Sequence, residues 1–538
     1  MKIVFIGLTV KIDINKIIRG ITKMNRNTKF FKKTIAMMVM TTITLSLLAG
    51  CGTKKAAVAD GGKEEPTPIS IMSVFYSVGP IANDNAVVKE FEKKTNTKLD
   101  ITWVAGNSYN EKLSVTLASG DIPDMALDIE TYNAQWRSMT SQGAFWEVGK
   151  YYKDYKNLAA LPAEIWENTK LPDGKNYMMP RPRPLDGQSA GQVSIRKDWL
   201  DNLGLKVPQT VDDLYAVMKA FTNDDPDKNG KKDTVGFAGY VTDGDLGPIK
   251  EIVSIFNGAG NDGFKLDKDG KMVQMWTDTS TRDALVWLKK AYSEGLIHKD
   301  IAVLKPEQEG ELIMASKVGI NFSPMQKTAV YDATIKKTVP NAETLPLVAL
   351  SANNGKYIGK NGGSFGGFVI PKTVKEDKMK KIMAFYDFCV SNEGWELGKY
   401  GIEGVHFNKT GDKYTVLPQA KTDLVGTMVN IAQKYDKYQT ASMAGTTQLE
   451  LDRNKKIIDE KAKISIPSPN VGLYSDTESK IGADYNKKYV ETFMKVMLGA
   501  EPIESWDKYV ANLKTDADYL KWIKEISDSY DKKMSVSK

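Results

Sequence analysis

The chain has 538 residues, with 74 Lys and Arg against 67 Asp and Glu, and only two Cys and two His. That length exceeds what one hydrophobic core fills, so at least two lobes are expected, and a 41% hydrophobic, 26% charged composition excludes a disordered chain or a multi-span membrane protein. So few Cys and His also exclude a disulfide framework and a His/Cys metal centre.

The net charge of +7 belongs to the leader. Residues 1–50 hold nine basic side chains and one acid, Asp13, so the remainder carries −1 and offers no field for a nucleic-acid partner. A basic stretch over 24–33, an apolar run over 34–48 and the small pair Ala49-Gly50 make 1–50 a signal peptide. Residues 1–23 add nothing such a signal needs, and a start at Met24 fits the pattern equally. Leu48-Ala49-Gly50-Cys51 resembles the bacterial lipobox, in which the cysteine thiol is acylated; a plain signal with an incidental cysteine is the alternative. The small polar residues over 51–65 then form a flexible tether, and Cys389, left without a partner, is expected buried and unreactive.

Along the body, apolar runs at 69–75, 98–104 and 125–129 predict strands, and amphipathic spacing at 86–95 and 109–118 predicts helices between them. This alternation indicates β-α-β units. Pro172-Asp173-Gly174 predicts a hairpin turn, and the alternating Pro and Arg of 180–184 predict an extended interlobe crossing. A second lobe starts near Gln192; Thr210 is placed to cap a helix over 212–221. Further helices are predicted at 375–391, 393–400, 486–498 and 503–526.

The lipobox and tether, Leu117-Ala118-Ser119-Gly120-Asp121-Ile122-Pro123-Asp124, Leu171-Pro172-Asp173-Gly174-Lys175, the 195–204 segment beginning Ile195-Arg196-Lys197-Asp198-Trp199, Gly366-Gly367-Phe368-Val369-Ile370-Pro371 and Tyr400-Gly401-Ile402-Glu403-Gly404-Val405-His406 occur in this order. Together they resemble the family 1 extracellular solute-binding proteins of ABC importers, in the large lipoprotein branch similar to alginate-oligosaccharide binders. The resemblance spans nearly all of 66–538. It implies an α/β, two-lobed periplasmic-binding-protein-like fold with mainly parallel sheets flanked by helices and a hinged interlobe cleft. Lobe 1 is expected over 66–182 with a return at 367–415, and lobe 2 over 183–366 with a helical return at 416–538.

Asp225, Asp227, Asn229 and Asp233 place oxygen side chains at positions 1, 3, 5 and 9 of a loop with Gly230 at 6 and the Lys231 carbonyl at 7. That spacing reproduces the first part of an EF-hand-type loop, so 225–233 is a candidate Ca²⁺ site bracing lobe 2. Gly236 stands where a bidentate Glu would complete the loop, and Thr234 stands where the alginate-binding relatives add an acid. An Asx-rich surface turn is the alternative.

Sugar faces bind aromatic rings and sugar hydroxyls bind planar polar groups, so the candidate ligand residues are Tyr76, Trp103, Trp136, Trp276, Phe365 and Trp395, with Arg181 and Arg183 in the crossing. Trp199, Trp287, Trp506 and Trp522 sit at amphipathic spacing and are read as core, as are His298 and His406 as structural. The phosphate-loop, nucleophile-elbow and His-Glu-x-x-His motifs are lacking, and no catalytic residues are assigned. The expected protein is a monomeric, non-enzymatic binder, anchored to the outer face of the cytoplasmic membrane, that delivers an oligosaccharide to ABC permease subunits. A surface-anchored polysaccharide-degrading enzyme and a non-transport adhesion lipoprotein remain alternatives, and the sugar is not identified; uronic-acid oligomers, neutral glycans and peptides stay open.

Overall fold

The computed structural model describes residues 2–5, 8–11, 65–129, 134–186, 192–259, 263–352, 355–411, 413–443 and 446–536. It divides at residue 64. In the first unit, the strands Lys2–Phe5 and Leu8–Lys11 pair antiparallel. The expected signal segment from Met24, Cys51 and the tether up to residue 64 lie outside the described residues. No helix among the described residues is long and apolar enough to cross a membrane.

The second unit, Glu65–Lys538, holds two large cores. Nine strands carry its two main sheets: β1 (Thr67–Phe75), β2 (Thr97–Ala105), β3 (Met125–Asp128), β4 (Met179–Pro182), β5 (Ser194–Arg196), β6 (Val235–Phe237), β7 (Val318–Asn321), β8 (Thr344–Pro346) and β9 (Ser364–Val369). The first sheet has the order β2-β1-β3-β9-β4, and the second β8-β5-β7-β6. β1 runs parallel to β2 and β3, whereas β9 is antiparallel to β3 and β4. In the second sheet β6 and β7 are parallel, and β5 opposes both of its neighbours. Both reversed strands follow an interlobe crossing. A chain arriving from the other lobe enters at the edge where the parallel strands end, and so runs against them.

Apolar periodicity locates the elements well. The expected strand at 69–75 extends to Thr67–Phe75, and the helix at 86–95 is Ala86–Thr95, with Asn85 accepting from Val87 N–H as its cap. Thr210 caps Val211–Asn223 in a reciprocal capping box with Asp213. The single helix expected over 503–526 is two, Ile503–Leu513 and Ala517–Val536. Pro172-Asp173-Gly174 closes a turn between Leu171 and Lys175, but no strands flank it. Cys389 is buried, and burial pushes its thiol well up. His406 is likewise interior: its Nδ1 accepts from Ile402 N–H, which leaves Nε2–H for Asp423 at 2.9 Å.

The first core draws on β1–β4, β9, the helix Glu376–Cys389 and, beyond the expected boundary at 415, on Val425, Met428, Ile431 and Ala432. The return to lobe 1 therefore runs through Ala432. Those four residues present their apolar side chains beneath the helix Asn392–Tyr400, a local 3₁₀ contact that periodicity does not announce. The second core gathers residues between Val193 and Leu350, then Leu473–Ile526. One crossing includes the short parallel pair Ile358–Gly359 and Ser465–Ile466.

Candidate functional site

At the edge of the first sheet where β1 and β4 end and β9 begins, four of the sequence-selected residues converge: Tyr76, Arg181, Arg183 and Phe365. Arg181 and Arg183 stand two apart at the end of β4, an edge strand that tolerates Pro180 and Pro182. Arg181 is fully buried. Its Nε donates to the Phe365 carbonyl at 2.9 Å and its Nη1 to Asn430 Oδ1 at 3.3 Å, while Nη2 is buried without a hydrogen-bond partner. Burial lowers its pKa, an effect opposed by the neighbouring Tyr76 and Tyr386. Burial lowers that of Arg183 to about 10, helped by the like charge of Arg181. Among the described residues neither guanidinium forms an ion pair with an acid.

Phe365 lies across both guanidiniums, at 4.8 Å from Arg181 and 5.9 Å from Arg183. Its position follows from a bulge in β9, where the register shifts between Ser364 and Gly367. Gly366 adopts φ +72°, and a Cβ there would come within 2.1 Å of the Asp128 carbonyl oxygen. Only glycine fits, and the bulge turns the Phe365 ring outward to 44% exposure. Tyr76 follows β1 and is 60% exposed. Its ring rests on Gly106, where a Cβ would lie 2.4 Å from Cε1. Two exposed rings thus flank two cations that lack an acid, an arrangement suited to a flat, anionic or hydroxyl-rich ligand.

The remaining selected residues do not join this group. Trp103 is half-buried on the edge strand β2, two residues from its end, and its indole N–H is buried without a partner. Trp136 is buried, stacked on Phe145 at 6.2 Å, and belongs to the first core. Trp276 is packed in the second core, stacked on Tyr489 at 4.7 Å and edge-on to Trp522 at 5.7 Å, with part of it lining a cavity. The ring expected to face the cleft is thus held between Tyr489 and Trp522, and what it leaves uncovered borders that cavity. Trp395 lies two residues from Glu393, whose carboxylate meets Lys94 at 2.6 Å in the last turn of Ala86–Thr95. That turn adjoins the start of β2, the opposite edge from Tyr76, and the Trp395 ring is covered by Lys434 at 4.2 Å and Lys399 at 4.9 Å. It is a flank residue, since strand ends and helix starts alone do not reveal which sheet edge they share.

Two residues escaped sequence reasoning. Asn430 orients Arg181, and a lone carboxamide in a polar stretch gives no signal. Arg137 ties the lobes: its Nη2 donates to the Leu473 carbonyl at 3.0 Å and its guanidinium covers Tyr474 at 4.5 Å.

In the 225–233 loop, Asp225 accepts from Asn229 and Gly230 N–H, both at 3.0 Å. The Asn229 amide donates to Asp227 at 2.7 Å and to Asp233 at 3.1 Å, and its Oδ1 accepts from Lys231 N–H at 2.7 Å. Lys317 pairs with Asp233. Positive φ at Asp225, Lys228 and Gly230 winds the turn. Burial pushes the Asp227 carboxyl up, reinforced by Asp225 and Asp233, and its Oδ1 is buried without a partner. Among the described residues no three His, Cys, Asp or Glu side chains stand in a metal-holding arrangement.

A family model described as bacterial extracellular solute-binding protein matches residues 80–394. The polygalacturonan/rhamnogalacturonan-binding protein YtcQ of Bacillus subtilis is 33% identical over 484 residues, 88% of this chain and 94% of that one. Lipoprotein LipO of the same organism is 30% identical, covering 87% and 94%. Among solved structures, an HMO-binding, ABC-transporter-associated solute-binding protein of Bifidobacterium longum infantis superimposes with a TM-score of 0.69 at 20% identity, over 87% of this chain and 99% of that one. The alginate-binding protein AlgQ2, in a form without calcium ion, gives 0.63 at 22% identity, over 87% and 99%. At these identities the structures establish the two-lobed fold, and the relatives are binding proteins.

Proposed function

Because this chain belongs to the family of bacterial extracellular solute-binding proteins, specifically the carbohydrate-binding receptors of ABC transporters, we propose that it captures an oligosaccharide containing uronic acid and presents it to an ABC permease. The observation that carries the uronate is the pair Arg181 and Arg183: two guanidiniums without an acid, one with a buried N–H left over, beside two exposed rings. A carboxylate accepting from Arg181 Nη2 would satisfy that donor, and charge-assisted hydrogen bonds are the strong kind. The name of YtcQ, a binder of polygalacturonan and rhamnogalacturonan, supports the same ligand class.

The protein performs no covalent chemistry in this reading. Sugar held on lobe 1 makes further contacts to lobe 2 only when the cleft closes, so ligand favours the closed state by its differential affinity. Arg137, bridging to Leu473 and Tyr474, would be one contact that shifts on opening. The protein acts as a monomer on the extracytoplasmic face, held by acyl chains on Cys51; the lipobox and the lipoprotein LipO support the anchor. Metabolic labelling with a fatty acid should mark the wild type and not Cys51→Ser.

Calcium in the 225–233 loop is part of the proposal. Its donors, Asp225, Asp227, Asn229, Asp233 and the Lys231 carbonyl, are all oxygen, as hard Ca²⁺ requires, and the buried, partnerless Asp227 Oδ1 is an acceptor that the ion would satisfy. Bound there, the ion would neutralise the loop and brace lobe 2. Chelation should lower the melting temperature of the wild type and leave Asp227→Ala unchanged; elemental analysis finding no calcium would sink this part.

Titration calorimetry with galacturonate oligomers tests the main claim. Saturable binding, weaker for carboxyl-reduced oligomers and with the sugar recovered intact, is the expected result. Shortened products would establish the degrading enzyme instead.

A further inference from the structure

We propose that lobe 2 carries two adjoining subsites for neutral sugar rings, which makes the ligand a mixed chain and not a pure uronate. The inference rests on the oligosaccharide reading above and adds to it the composition of the chain.

Two cavities meet at Phe264. One, of about 270 Å³, is lined by Asp245, Lys250, Gln274, Trp276, Glu478 and Asn486 among others. The second, of about 650 Å³, lies between Asn257, Lys265 and Asp278 on one side and the crossing residues Tyr357, Pro467 and Pro469 on the other. That volume falls within the range of ordinary ligand sites.

Each cavity is lined by a buried carboxamide whose oxygen has no partner. Gln274 is 3% exposed and its Oε1 is unsatisfied; Asn257 is 2% exposed and its Oδ1 is unsatisfied. The amide orientation of Asn257 is fixed by its surroundings. Thr281 Oγ1 donates to the Met275 carbonyl at 2.7 Å, so it can only accept from Asn257 Nδ2, which stands at 2.8 Å and also donates to the Val253 carbonyl at 3.0 Å. Oxygen is therefore the atom left over. A buried acceptor without a donor is costly, and a sugar hydroxyl is a donor of the right size.

The charges in these walls argue against a carboxylate. Lys265 is paired with Asp278 at 2.8 Å, and Lys250 with Asp245 at 2.8 Å. Burial holds the Glu478 carboxyl above its ordinary range. Among the described residues no buried cation stands unpaired beside either carboxamide in the way Arg181 does; Lys268, exposed at the rim of the second cavity, lies beside Asp267, whose carboxyl it helps hold down, and a uronate here would meet acids. Hydroxyls suit the carboxamides, and the 40% exposed Tyr357 ring offers an apolar sugar face a platform.

Calorimetric titration of the detergent-solubilised full chain decides the matter, with a galacturonate tetrasaccharide and a tetrasaccharide alternating galacturonate with rhamnose as probes. The wild type should bind the mixed chain at least tenfold more tightly. Tyr357→Ala, a surface change that leaves both cores intact, and Asn257→Leu should each remove most of that advantage while altering affinity for the pure uronate less than twofold. Equal wild-type affinity for both probes, or an undiminished advantage in both variants, overturns the proposal. If Arg181→Met weakens both probes while the two lobe 2 variants are silent, the uronate reading stands and this one falls. Absence of any sugar binding by the wild type removes both.

Discussion

Lobe 1 buries Arg181 and half-buries Arg183 beside exposed rings, with no acid paired to either among the described residues, whereas lobe 2 pairs Lys265 with Asp278 and Lys250 with Asp245 and leaves carboxamide oxygens unsatisfied. Lobe 2 also buries an acid, Glu309, 6% exposed, with Oε1 lacking a partner. Under the proposed reading the two lobes offer a ligand different chemistry: the first supplies cations and aromatic faces, the second neutral acceptors. A sheet edge can hold unpaired charge when the missing counter-ion arrives with the ligand. A site for hydroxyl groups needs no such charge.

The largest expected effect concerns a ring held by packing. Trp276→Ala should cost lobe 2 about 3–5 kcal/mol of stability, because the ring is packed against Tyr489 and Trp522. Calorimetric melting reads this; an unchanged melting temperature would mean the ring is not a core member. Next, Arg181→Met should cost about 2–5 kcal/mol of galacturonate-oligomer binding, the usual range for removing one partner of a buried charged pair. A loss limited to neutral sugars would reverse the assignment of the two lobes.

Smaller still is the effect of Glu309→Gln. Burial raises the Glu309 pKa from 4.5 to about 7. The acid is neutral in both folded and unfolded states below about pH 4.5, and above that the unfolded state ionises first, so stability is lost as pH rises through 7. The variant should match the wild type at pH 4 and exceed it at pH 8 by at most about 3 kcal/mol. Equal stability at both pH values would show that the carboxyl is hydrated.

Much of this was legible in the sequence where the signal is local. Apolar periodicity placed Ala86–Thr95 and Val211–Asn223, and the Thr210 cap needed only its neighbour Asp213. The Pro and Arg alternation at 180–184 pointed to the arginines, and the glycines around Phe365 marked the strand that meets them 184 residues later. Burial was not legible. Trp136 and Trp276 each sit beside a polar residue in sequence, yet Phe145 folds back onto Trp136 from the next turn of chain and Tyr489 reaches Trp276 from a distant segment. The Asn430 and Asn257 side chains matter through one atom each, and that depends on which partners the fold supplies to their other atoms.

The most direct test of the account is a crystal structure with a galacturonate oligomer bound. A carboxylate oxygen within hydrogen-bond distance of Arg181 Nη2, with a sugar ring over Tyr76 or Phe365, is the predicted result. An oligomer bound elsewhere, with Nη2 still unpartnered, would contradict it.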